Sequence, residues 1–416
     1  MSAVDNMDES IASFRDSVLS EWRDNIAPFW IRYGPDDVHG GFRGWITNDL
    51  RIDGHADKGI ILNSRILWTF ARAFNLFGDT EYGDIATRAF GYLTGNFIDK
   101  DFGGVFWTVD YLGQASDTKK RTYAQAFAIY ALTEYFVATQ DQTALDHAME
   151  LFQLIESRCR DGVNDGYFET FDRDWSMAAD QRLSDVDQDD KKSMNAHLHV
   201  LEAYTLLAQT TNDAQVMERL SSVLSIFLDH ILNPDATYVR MFFDEDWTPK
   251  SAVRSFGHDI EASWLLFEAA EIVGDVALLE RVRSVSLTLA NSVAELGLDS
   301  DGSLLYEAKD GAIIEEDKDW WVQAEAVVGF VNAWQLGGEP RFLQLATNVW
   351  TFILDRIVDR KNGEWFWKIT RDGRASDVMP KLSQWKCPYH NGRMCFEIHR
   401  RLGGASGVGQ NGSHPV

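Results

Sequence analysis

The 416-residue sequence is poor in cysteine, poor in basic charge and free of long apolar runs. Its three cysteines, Cys159, Cys387 and Cys395, are a low, odd number. That gives no disulfide framework and suits a reducing compartment. No stretch approaches the ~20 uninterrupted apolar residues of a membrane span. The opening "MSAVDNMDES" is acidic and lacks the apolar segment of a signal peptide. A cytoplasmic protein with no membrane partner is expected. Only 13 Lys and 26 Arg stand against 64 acidic side chains, for a formal net charge of −25. Such a chain repels nucleic acid and anionic surfaces, so a neutral substrate is expected. There is no Walker A loop, no dinucleotide fingerprint on a strand–helix unit and no G-x-S-x-G. Nucleotide chemistry and serine hydrolysis drop away.

What is present is apolar and aromatic. Hydrophobic residues make up 45% and aromatics 12%, enough for a large core. The 15 tryptophans serve either as core or as stacking faces for sugar rings.

A short Gly–aromatic pattern recurs every 60 to 70 residues or so. It reads "HGGFRGWITND", "FGGVFWTVDYLG", "NDGYFETFDRDW", "ATYVRMFFDEDW", "DGSLLYEAKDG" and "NGEWFWKITRDG". Each copy predicts a short hairpin or long loop. Before the copies lie amphipathic helices such as "TALDHAMELFQLIESRC". After them lie helices apolar nearly all round, such as "YAQAFAIYALTEYFVATQD" and "HDIEASWLLFEAAEIVGD". Several end in Gly-Asp or Gly-Gly, as helix C-termini do. Six buried helices inside six half-exposed ones predict an all-α (α/α)6 barrel over residues 1–402. Residues 403–416, rich in Gly and Ser, predict a flexible tail, in which the sequon at Asn411 reads as chance.

In such a ring the inner helices run one way, so their N-termini meet at one mouth. Those N-termini carry Asn63 and Arg65, Tyr123 and Gln125, Asn195 and His199, His258 and Glu261, Trp321 and Glu325, and His390 and Asn391. Isolated buried polar groups cost free energy, so a shared polar cavity explains twelve of them better than chance. His258 and Glu261, three apart, share a helix face, as do Asn195 and His199, four apart. His197 points elsewhere and reads as structural. Cys387, His390, Cys395 and His399 imitate a zinc site with the wrong spacing. On one helix the outer two lie ~18 Å apart. Nothing demands a metal held by His199, His258, Glu261 and His390. An inverting glycosidase needs two opposed carboxylates. The mouth instead offers three histidines, whose ordinary pKa of ~6.5 suits proton abstraction and return.

"DTKKRTYAQAFAIYALTEY", "KKSMNAHLHVLEAY", "SFGHDIEASWLL", "KDWWVQAEAVVGF", "GEWFW" and "WKCPYHNGRMC" together resemble the cellobiose 2-epimerases, within the N-acylglucosamine 2-epimerase superfamily. The resemblance spans residues 10 to 402. Ala124, Ala196 and Phe256 stand where Gly, Thr and Tyr are usual. It implies C2 epimerisation of the reducing-end sugar of a neutral β-1,4-linked disaccharide, with no metal or organic cofactor, by a monomer or weak homodimer. It implies that His258 and His390 are the paired acid and base, with Glu261 orienting His258 and Arg65 near O1. Asn195 and His199 would hold hydroxyls and assist ring opening. Trp321 and Trp385 would stack on the sugar, with Tyr123, Glu325, Asn63 and Asn391 as further contacts. The same intermediate also serves an aldose–ketose isomerase acting on mannose.

Overall fold

The computed structural model describes residues 3–184 and 187–403. Apart from Gly403, the expected tail lies outside the described residues, as does the sequon at Asn411. In chain order the helices are α1 (Ala3–Glu21), α2 (Ala27–Tyr33), α3 (Ile60–Phe77), α4 (Thr80–Tyr92), α5 (Thr122–Thr139) and α6 (Gln142–Leu154). They continue as α7 (Met194–Thr211), α8 (Ala214–Ile226), α9 (Phe256–Val273), α10 (Val276–Leu296), α11 (Trp320–Gly337), α12 (Pro340–Phe352) and α13 (Tyr389–Leu402). The odd-numbered helices from α3 to α13 each pack on the next, and α13 packs back on α3. That closes an inner ring of six. Outside it, α4, α6, α8, α10 and α12 lie against the helices before them, and α1 against α13. The architecture is the expected (α/α)6 barrel. Among the described residues no helix is long and apolar enough to cross a membrane.

One two-residue turn joins inner to outer helix. Gly78, Gln140, Asn212, Gly274 and Gly338 end the inner helices in the left-handed conformation, with φ between 50° and 74°. The next residue, Asp79, Asp141, Asp213 or Asp275, then caps the outer helix by accepting a backbone N–H two or three positions on. Each Gly-Asp pair therefore stops one helix and starts another.

At the opposite end the Gly–aromatic segments form short antiparallel loops sewn around the ring. The strand leading into an inner helix pairs with the loop of the following repeat. Lys58–Gly59 pairs with Thr108–Val109, Lys120–Arg121 with Thr170–Phe171, and Lys192–Ser193 with Phe242–Phe243. A bridge between Ile46 and Leu382 joins the first loop to the segment leading into the last inner helix.

A buried clasp repeats beneath these loops. Lys58 pairs with Asp36, Lys120 with Asp99 and Lys192 with Asp161, at 2.9, 2.9 and 2.8 Å. Lys318 with Asp299 and Lys381 with Asp359 repeat it. In most copies the aspartate also accepts backbone N–H groups of its own turn, as Asp36 does from Val38 and His39. Burial would raise the Asp36 carboxyl, but Lys58 and those N–H groups outweigh it and hold it at about 2. One further polar position pins each loop to a helix. Gln125 bonds both backbone groups of Val105, and Gln323 those of Leu304. At the equivalent helix position His197 accepts from the Tyr167 N–H, and Asp259 from that of Val239. His197 is structural, as the sequence suggests, and Gln125 is too.

Candidate active site

The six inner-helix N-termini meet at one mouth, and a cavity of about 710 Å³ opens there. That lies within the ~300–1,000 Å³ range of small-ligand sites. Eleven of the fifteen tryptophans are buried, so most serve the core. Trp320, Trp321, Trp367 and Trp385, however, border the cavity. It is also lined by Arg65, Tyr123, Asn195, His199, His258, Glu261 and His390. Nine of the twelve expected site residues thus share one wall. The other three do not line it. Asn63 donates to its own helix at Gly59 O, and Asn391 donates to Glu364, a partner of Lys386. Glu325 sits behind the wall, 1% exposed.

Each cavity histidine has its Nδ1 fixed from behind. Nδ1 of His390 is 2.7 Å from Glu325, and Nδ1 of His199 is 2.9 Å from Glu202. An ionised carboxylate only accepts, so both Nδ1 atoms carry the hydrogen and Nε2 is left basic. Nδ1 of His258 meets the hydroxyl of Ser255 at 2.8 Å. This departs from the expectation that Glu261 orients His258. Glu261 lies on the same helix face but is held by Arg393 at 2.5 Å. The Trp321 ring packs against both His258 and His390, at 4.8 and 5.5 Å.

Burial pushes His258 down to about 3, and the neighbouring His199 acts in the same direction. His390 is driven well below its ordinary value by burial, then by Arg65 and Arg393. Both imidazoles are therefore neutral near pH 7 and able to accept a proton. Arg65 donates to the Tyr123 hydroxyl at 2.8 Å and packs on the rings of Phe127 and Tyr389. It presents a fixed cation to the cavity.

Below the wall, Arg393 binds Glu202, Glu261 and Glu325 together. Burial opposes the charge on Glu202, but Arg393 and His199 outweigh it and hold it at about 2. Glu261 goes the other way, raised to about 7 by burial and by Glu325. Glu261, Glu325 and His390 bring donor atoms within 4.8 Å of one another, a spacing that could suit a metal ion. Here Arg393 already binds both carboxylates and His390 binds Glu325, so the set is satisfied as an ion-pair cluster. The three cysteines are buried and free.

The sequence that builds this cavity matches a known family. A family model for N-acylglucosamine 2-epimerase matches residues 40–391. The chain belongs to the N-acylglucosamine 2-epimerase family. A cellobiose 2-epimerase of Bacteroides fragilis is 44% identical over 393 residues, covering 94% of this chain and 99% of that protein. A solved sugar epimerase from a ruminal bacterium is 40% identical with a TM-score of 0.89, covering 93% of this chain and 98% of its own. The cellobiose 2-epimerase of Bacillus thermoamylovorans is 36% identical, also with a TM-score of 0.89, covering 94% and 100%.

Sequence reasoning missed several parts of this epimerase-family cavity. Glu202 carries a signal, since it follows His199 by three positions, the spacing given weight at His258 and Glu261. Ser255 caps the helix that carries His258, and an N-cap serine three positions before a histidine is the signal that could have found it. Arg393 follows His390 by three. Gln181, Ser184, Asp187 and Asp190 reach the cavity from a long loop with no periodic pattern. Glu169, raised to about 7 by burial, also lines it and bonds Ser193.

Proposed function

We propose that the protein is a cellobiose 2-epimerase, which inverts C2 of the reducing-end glucose or mannose of a neutral β-1,4-linked disaccharide. The observation that carries this reading is the pair of neutral imidazoles, His258 and His390, both packed against Trp321 in one cavity. Sequence identity of 36–44% to proteins with that name over nearly the full chain supports it.

The chemistry follows from the groups at hand. The sugar ring opens and exposes an aldehyde at C1, with His199 and Asn195 handling the hydroxyls. The carbonyl acidifies the C2 proton by spreading the resulting charge. One of His258 and His390 removes that proton and leaves a cis-enediolate. Arg65 stabilises the oxyanion with a charge already in place, which needs no reorganisation. Rotation about C2–C3 presents the opposite face, and the other histidine returns a proton. Trp321 and Trp385 hold the sugar by stacking. No step requires a metal or organic cofactor.

The test is proton NMR of chelator-treated protein with cellobiose in D2O. A mannose-type anomeric signal with deuterium at C2 is expected, and His258→Ala and His390→Ala should each abolish it. Free glucose would replace this reading with hydrolysis. No change in cellobiose, lactose or mannobiose, with mannose becoming fructose, would replace it with aldose–ketose isomerisation.

A further inference from the structure

At the cavity wall, three carboxylates face one guanidinium. Glu202 of α7, Glu261 of α9 and Glu325 of α11 converge on Arg393 of α13, while Arg65 of α3 stands on the cavity side. All five residues are at most 3% exposed. An uncompensated charge in such a place is costly. The other groups facing the cluster are Tyr123 and Tyr130 of α5, Tyr389, Cys387 and the three histidines. Burial pushes the tyrosine hydroxyls up and holds His258 and His390 neutral. At least one proton is needed to balance the cluster.

Donor counts say where it rests. Glu202 accepts from His199, Tyr389 and Arg393. Glu325 accepts from His390, Trp264 and Arg393. Among the described residues Glu261 accepts from Arg393 alone, through the same Nη2 that serves Glu325. Hydrogen bonds favour an ionised carboxylate, so the least supported one takes the proton. Glu261 is also the one of the three that lines the cavity.

We infer that Glu261 works as a neutral carboxylic acid, offering its O–H to the sugar oxygen that gains charge as C2 is deprotonated. This rests on the epimerase reading of the cavity. It adds a second donor beside Arg65, and a carboxyl kept neutral by burial and a neighbouring carboxylate can give its hydrogen to a developing oxyanion. The shift of Glu261 to about 7 points the same way.

The test is infrared spectroscopy of the full chain without sugar, taken as the difference between wild type and Glu261→Gln. Glu169 and Asp319, also held near 7 by burial, contribute equally to both proteins and cancel. A protonated-carboxyl C=O stretch is expected in wild type below neutral pH. It should shift in D2O, fade as pH rises above 7 and be absent from the variant. A difference spectrum without that band overturns the inference. Titration of the band in wild type alone keeps the test sound if the variant does not fold. Kinetics give the second readout, an alkaline fall in kcat/KM for cellobiose that Glu261→Gln removes. An alkaline fall unchanged in the variant would overturn the inference. Failure of wild type to convert cellobiose would sink the epimerase reading and leave the spectrum to be judged separately.

Discussion

The Oε1 atom of Glu325 lies 2.7 Å from Nδ1 of His390 and accepts from Arg393 at the same distance. His258 has no such backing, only the hydroxyl of Ser255. The two imidazoles are therefore unequal. Glu325 fixes one tautomer of His390, whereas a hydroxyl can donate or accept and leaves His258 free to take either.

That inequality predicts unequal variants. In Glu325→Gln the amide can donate to Nδ1 and stabilise the wrong tautomer, as when a triad aspartate becomes asparagine. A loss in kcat on the order of 10²- to 10⁴-fold is expected. Ser255→Ala removes a neutral hydrogen bond and should cost less than about tenfold. Steady-state rates on cellobiose, with circular dichroism to confirm folding, check both. Equal losses would mean that the carboxylate does not set the tautomer.

The pH profile should be shifted on its acid side. A base must be unprotonated, and burial has moved His258 from its ordinary 6.5 to about 3. The imidazole therefore stays competent as pH falls through 6.5, where an exposed histidine would be lost. Initial rates from pH 7 to pH 5 should show no fall in kcat/KM. A fall centred near 6.5 would place the essential base on a histidine that burial does not reach.

The barrel was legible because its signal is repeated. Six Gly–aromatic segments and two helix types, one amphipathic and one apolar all round, leave few other ways to bury so much surface. The mouth was legible for the same reason, as polar residues at the starts of apolar helices had to share a destination. Individual partners were not. Spacing says which side chains can meet, and three positions apart it was right for His199 with Glu202 and wrong for His258 with Glu261. The difference is Arg393, which arrives from a helix 132 residues away and captures Glu261. Asn63 and Asn391 were misread because a helix start must also satisfy its own backbone and loops. The Lys–Asp clasps escaped notice because lysine and aspartate ordinarily signal surface.

A glycine in one loop supports the scaffold behind the site. Gly166 has φ +76°, and a Cβ there would stand 2.4 Å from the Trp247 ring and 2.8 Å from Nε2 of His197. Gly166→Ala should cost about 2 kcal/mol or more, through the left-handed backbone and the clash together. A lower urea midpoint at unchanged slope checks it. A midpoint within error of wild type would show that the loop yields freely.

The clasp under the third loop makes a sharper prediction, because its charge is fully enclosed. Lys192 is 0% exposed and donates to Asp161, to Asp165 O and to Glu245 O. Lys192→Met strands the Asp161 carboxylate with only its turn N–H groups and the Asn164 amide, at a cost of about 3–5 kcal/mol near pH 7. Asp161→Asn with Lys192→Met removes both charges and should recover much of that. The sign with pH distinguishes charge from packing. In wild type, burial would raise Asp161, but Lys192 and the turn outweigh it and lower it. Its contribution is thus present above the ordinary carboxylate range and lost as pH falls below it. In Lys192→Met the stranded carboxyl is raised instead, and protonation relieves it. The gap between wild type and variant should therefore narrow as pH falls from 7 towards 4, which urea unfolding at the two pH values measures. A gap that stays constant would assign the clasp to packing rather than to charge.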